Sequence, residues 1–143
     1  MNITVCIKQV PGSNEVRMDP VTNTIIRDAE DAVINPFDTF GIEEAIRLKA
    51  RFGGHITALS MGIPAVSELL RETISLGCDE GILLSDRAFA GADTLATAYA
   101  LSLAVPNGCD LIICGKQATD GDTAQVGPML AEMLAIGHLS DVS

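Results

Sequence analysis

The sequence predicts an α/β fold, an open and mostly parallel sheet with helices on both faces, as one domain over residues 1–143. Two observations carry that expectation. Short β-branched and aliphatic runs, ITVCIKQV, HITALS, EGILLS and DLIICG, alternate with longer segments of helical period, the order that right-handed βαβ units require. Hydrophobic residues make up 48% of the chain but aromatics only 3%, with no Trp, so the core must be built from Val, Ile, Leu, Ala and Met. That supply suits helices stacked on buried parallel strands better than a β-sandwich.

ITVCIKQV, residues 3–10, is apolar on both faces, as an interior strand should be, and stops at Pro11 and Gly12. EVRMDPVTNTIIRD alternates about a turn at Pro20 to Asn23 and predicts a small hairpin excursion. NPFDTFGIEEAIRLKARFGG reads as a helix with Asn35 as N-cap, Pro36 at the first helical position, Ile42, Ala45, Ile46 and Phe52 near one face, and Gly53 as the stop. HITALSMG is a strand and turn. PAVSELLRETISLG is a second helix with Val66, Leu69, Leu70 and Ile74 as its stripe, and EGILLSD a third strand. DTLATAYALSLAV follows as a helix behind Asp93, then DLIICG as the fourth strand and DTAQVGPMLAEMLA as a helix capped by Asp122. Pro128 lies too deep in that last helix for a cap at Asp122, which predicts a bend or a later start.

A net charge of −10 repels a phosphate backbone and argues against nucleic acid as a partner. No apolar run approaches the roughly 20 residues of a membrane span, and MNITVCIKQV is too short and too early in the domain for a signal peptide, so a cytoplasmic protein is expected. Cys6, Cys78, Cys109 and Cys114 have no C-x-x-C spacing and read as small buried hydrophobes. His55 and His138 have no ligand neighbours at helical spacing, so no metal site is expected.

In open parallel sheets ligands sit beyond the carboxyl ends of the strands. Those ends carry Cys6 to Gln9, Ser60 to Gly62, Ser85 and Asp86, and Gly115 with the loop GKQATDGDTAQVGP, residues 115–128. Gly115 and Gly121 permit positive φ and close backbone approach, and a helix opening near Thr123 aims unpaired N–H groups at whatever lies above it. Lys116 precedes the second glycine, so the order G-x-x-x-x-G-K-[ST] is absent, as is G-x-G-x-x-G. Asp122 caps the helix and Asp120 shapes the turn. On these residues alone an anion site and an ordinary turn both remain open. SDRAFAGADTLATA, residues 85–98, is a second small-residue loop, read either as a further ligand site or as a plain loop capped by Asp93.

CIKQVP at the first strand, NPFD at the first helix, LSMG after the second strand and GKQATDGDTAQVGP occur in order along nearly the whole chain. Together they resemble the β subunit of electron transfer flavoproteins. The resemblance implies an adenine-nucleotide-binding, Rossmann-like fold, an α subunit carrying FAD as partner, and AMP or a second FAD in the chain itself. It implies a nucleotide site of Cys6, Lys8, Asn35, Pro36, Phe37, Asp38 and Met61, with Gly115, Lys116, Gln117, Ala118, Thr119, Asp120, Gly121, Asp122, Thr123, Ala124, Gln125 and Val126. Members of the family are longer, so this domain is expected to be an N-terminal portion truncated at its C-terminus.

DGDTAQVGP resembles the electron-bifurcating branch, whose β subunit binds FAD, because AMP-holding members tend to carry a bulkier residue between the two aspartates. FAGADT resembles that branch as well. By that resemblance NADH gives a hydride to the β-subunit flavin, and the electrons part toward a high-potential acceptor, through an acyl-CoA dehydrogenase or similar enzyme, and toward ferredoxin or flavodoxin. In that scheme no residue here reads as an acid, base or nucleophile, because the flavin carries the chemistry; the resemblance implies an electron-carrier subunit with redox activity only as part of a flavoprotein heterodimer. The alternative is a non-bifurcating subunit with structural AMP that accepts electrons from acyl-CoA dehydrogenases. A third reading, a universal-stress-type nucleotide sensor, would bind ATP without an α subunit and gives no reason for NPFD.

Overall fold

The structure, a computed structural model, describes residues 1–11, 17–18, 25–26, 32–85, 94–115, 126–134, 136–137 and 139. Its elements are β1 (Asn2–Cys6), β2 (Gln9–Pro11), β3 (Arg17–Met18), β4 (Ile25–Ile26), β5 (Ala32–Ile34), α1 (Pro36–Phe52), β6 (His55–Met61), α2 (Val66–Leu76), β7 (Glu80–Leu84), α3 (Thr94–Ala104), β8 (Leu111–Cys114) and α4 (Val126–Met133). Four strands form one sheet in the order β7-β6-β1-β8, every neighbouring pair parallel. β2 pairs antiparallel with β5, and β3 with β4.

The period of two along each strand divides the apolar residues into two cores. Ile3, Val5, Ile56 and Ala58 pack with Ile42 and Ala45 of α1 and Leu70 of α2. Cys6 and Leu59 pack on the opposite face with Ala98 and Leu101 of α3 and Leu130 of α4. The expected α/β sheet covered on both faces is therefore present, and among the described residues its core is built of aliphatic, Cys and Met side chains with no aromatic one.

Several local expectations are corrected. The first strand does not run through residues 3–10. Ile7 N–H still bonds Leu59 O at 2.9 Å, but the next N–H, that of Lys8, goes to Asp38 Oδ2 at 2.8 Å, so the chain leaves the ladder. Residues 9–11 then pair with β5, a strand the sequence reading missed because three residues are too few to show a period. Asn35 occupies the N-cap position, yet its side chain makes no cap hydrogen bond. Phe52 and Ile74 are 57% and 47% exposed rather than on the buried stripes, and Thr73 takes the position expected of Ile74, its hydroxyl donating to Leu70 O at 2.6 Å.

Other expectations hold. Arg17–Met18 facing Ile25–Ile26 is the predicted hairpin, while its turn at Pro20 to Asn23 lies outside the described residues. Gly53 ends α1 with φ 72°, a conformation glycine adopts without strain. The described α4 begins at Val126, which puts Pro128 in its first turn, where a missing N–H removes no helical hydrogen bond. The caps assigned to Asp93 and Asp122 fall outside the described residues.

Candidate functional site

From β1 the chain builds outward through β6 to β7, then crosses back to lay β8 on the other side of β1. The strand order reverses there, so the carboxyl ends of β1 and β8 front the crevice where such sheets take ligands. Cys6 and Cys114 are register partners at that edge. Gly115 follows Cys114 directly, and Lys8 follows Cys6 after Ile7.

The amino end of α1 is pinned over the same edge. Asn35 N–H donates to Lys8 O at 2.8 Å, and Asn35 is buried. Asp38, in the first turn of α1, is 5% exposed, and its carboxylate accepts the Lys8 N–H at 2.8 Å. The Gly115 N–H and the Asn35 side chain also bond this carboxylate. Gly115 is pressed so closely on α1 that a Cβ there would collide with Asp38 Oδ1 and lie 2.9 Å from the Phe37 carbonyl carbon. Two strand ends and a helix start thus meet at one carboxylate.

Burial pushes the Asp38 carboxyl up to about 6, against the opposing pull of its hydrogen bonds and of the Lys8 charge. The folded state therefore binds this proton more tightly than the unfolded chain does. Its contribution to stability is complete below about 3.8 and is lost as pH rises through about 6. Relative to Asp38→Asn, which has no such proton, the native protein is expected to lose roughly 3 kcal/mol of stability between about pH 4 and pH 7. Urea unfolding of both proteins at the two pH values checks this, and a pH-independent difference would contradict it.

Cys6 is packed under α3 and α4, and its thiol bonds that of Cys114. That bond, then burial, raises the Cys6 thiol well above its ordinary value, while the same bond lowers Cys114. Of the two thiols, Cys114 is therefore the one that gives up its proton first. Met61, one strand further along, is half-buried against the same α3 and α4 core. Lys8 and Pro36 are exposed, and Phe37 is half-buried.

Of the residues singled out in the sequence, the structure brings together Cys6, Lys8, Asn35, Asp38 and Gly115, with Met61 set apart on β6. Val126 opens α4, and Lys116 to Gln125 lie outside the described residues, as do Asp86 to Asp93 of the second loop. Ser60, named in the sequence only as one of the strand ends, is 1% exposed, and its hydroxyl has no partner among the described residues. Sequence reasoning missed the buried brace made by Asp38, since carboxylates are normally exposed and nothing in NPFD announces otherwise. An open hollow lined by Ser102, Pro106, Asn107, Gly108, Cys109 and Ile136 lies at the amino end of β8, the opposite end from the crevice.

Among the described residues no group of three or more His, Cys, Asp or Glu could hold a metal ion, and no helix is long and apolar enough to cross a membrane. Residues 22–143 match the family model for the electron transfer flavoprotein domain. The chain belongs to the electron transfer flavoprotein family. It is 54% identical to an electron transfer flavoprotein subunit beta from Thermoanaerobacterium thermosaccharolyticum, over 99% of this chain and 55% of that protein. It is 53% identical to the protein FixA of Azotobacter vinelandii, over 100% of this chain and 53% of that one. A subunit beta from Clostridium acetobutylicum is 49% identical over 99% of this chain and 55% of its own length. This electron transfer flavoprotein sequence thus spans about half the length of the relatives it matches.

Proposed function

We propose that residues 1–143 form the nucleotide-binding α/β domain of an electron transfer flavoprotein β subunit that binds FAD in the crevice between β1 and β8. In this reading it pairs with an FAD-carrying α subunit in the cytoplasm and passes electrons from NADH toward a high-potential acceptor, by way of an acyl-CoA dehydrogenase or a similar enzyme, and toward ferredoxin or flavodoxin. The supporting observation is the convergence of β1, β8 and the start of α1 at the switch point, around a glycine that has no room for a side chain. In a member of this family, that is where a dinucleotide would enter.

The residues present fit such a group. Gly115 lets the end of β8 approach the start of α1 closely, and the sequence around Gly121, a small residue between two aspartates outside the described residues, resembles the FAD-binding form of the loop. Lys8, exposed beside the crevice, offers the positive charge that phosphates need in a chain of net charge −10. The Cys6 thiol is spent in the core, so its contribution would come from its backbone. Phe37 and Met61 offer apolar surface. A bound flavin supplies the redox chemistry, and the chain supplies position and electrostatics.

The test is to denature the purified complex of the complete protein with its α subunit and identify what is released. Two FAD per heterodimer and no AMP is the expected result. One FAD and one AMP would overturn it in favour of the non-bifurcating subunit.

A further inference from the structure

Resting on the nucleotide-binding reading above, we infer that Asp38 is a positioning residue, a buried brace that holds the ends of β1 and β8 against the start of α1 and so sets the shape of the crevice without touching the nucleotide. Its oxygens are already engaged. Oδ2 takes the Lys8 N–H at 2.8 Å, the Gly115 N–H and the Asn35 side chain bond the same carboxylate, and Gly115 leaves no room at Oδ1 for even a methyl group. At 5% exposure no face of the carboxylate is left for a ribose hydroxyl. A carboxylate would also repel a phosphate placed against it.

The brace acts on the two backbone segments that flank the crevice. Lys8 leaves the β1 ladder because its N–H is drawn to Asp38, which also turns the chain toward residues 9–11. Gly115 is the last described residue before the loop at 116–125, so fixing its N–H fixes where that loop departs from β8. With both oxygens as acceptors, an ionised carboxylate takes the two N–H groups at once. An amide presents one acceptor and one donor, and the donor would face an N–H.

The substitution Asp38→Asn therefore separates positioning from folding. It releases one strand end but also removes a buried charge, and those effects on stability oppose each other. In the complete heterodimer reconstituted separately with FAD and with AMP, the variant is expected to release whichever nucleotide the native complex retains about tenfold faster, an ordinary effect for one lost charge-assisted hydrogen bond. Its melting temperature at pH 7.5 is expected to be unchanged or raised. Gly115→Ala, which pushes the same contact apart from the other side while leaving the carboxylate in place, is expected to speed release likewise, and it decides the matter if Asp38→Asn fails to fold. Release at the native rate in the folded variants, or faster release from Asp38→Asn with a melting temperature that falls in step, would overturn the inference. A native complex that retains neither nucleotide would instead overturn the functional reading on which it rests.

Discussion

Alanine in place of Leu59 is expected to lower the free energy of unfolding by about 3 kcal/mol, the usual cost of emptying a buried leucine site. Leu59 is fully buried and stands in the middle of β6, packed under α3 and α4. It lies between two strands that cannot move inward without breaking ladders on both sides: it pairs in register with Cys6 of β1 and with Ile82 of β7. The cavity therefore stays open, and the loss approaches the full transfer and cavity cost. Because α3 and α4 lean on this residue and Cys6 lies beside it, the crevice floor loosens with it. Ile74→Ala is the control. Its side chain is 47% exposed on α2, so the same chemistry should cost under about 1 kcal/mol. Urea denaturation of the two variants checks the assignment of residues to core and surface, and equal losses would contradict it.

The sheet, its parallel sense and its two covered faces were legible because four aliphatic runs alternate with helical segments, a signal spread over most of the chain. Short elements were not. β5 is three residues long, and the break after Cys6 depends on a hydrogen bond between Lys8 and Asp38, thirty residues apart in sequence. Ile74 was misplaced for a different reason. Its period fits the α2 stripe, but the small, self-satisfied Thr73 fits the close approach beneath the helix, and packing overrides hydropathy there. The candidate site was legible as a set of strand ends, Cys6 to Lys8 and Gly115, because position in a parallel sheet says where a ligand is expected. What each residue does there was not. Asn35 reads as a helix cap and in the structure directs its side chain to Asp38, while Asp38 entered only as a nucleotide-site residue implied by the resemblance and is a buried brace.

On the bifurcating reading proposed above, the second large effect expected is one of coupling between electron acceptors. NADH delivers two electrons at one potential, and ferredoxin lies uphill of it, so a single electron can reach ferredoxin only if its companion falls to an acceptor of higher potential. A subunit that merely holds AMP offers no place for that division. The most direct measurement mixes NADH, in a stopped-flow spectrometer, with the heterodimer of the complete protein and its α subunit, both loaded with FAD. Ferredoxin and the high-potential acceptor, with its dehydrogenase, are then supplied singly and together. The account predicts that NADH bleaches the flavin absorbance, and that ferredoxin is reduced when the high-potential acceptor is present and not when it is withheld. Absence of NADH-driven bleaching in the fully loaded heterodimer, or ferredoxin reduction that ignores the second acceptor, would contradict it.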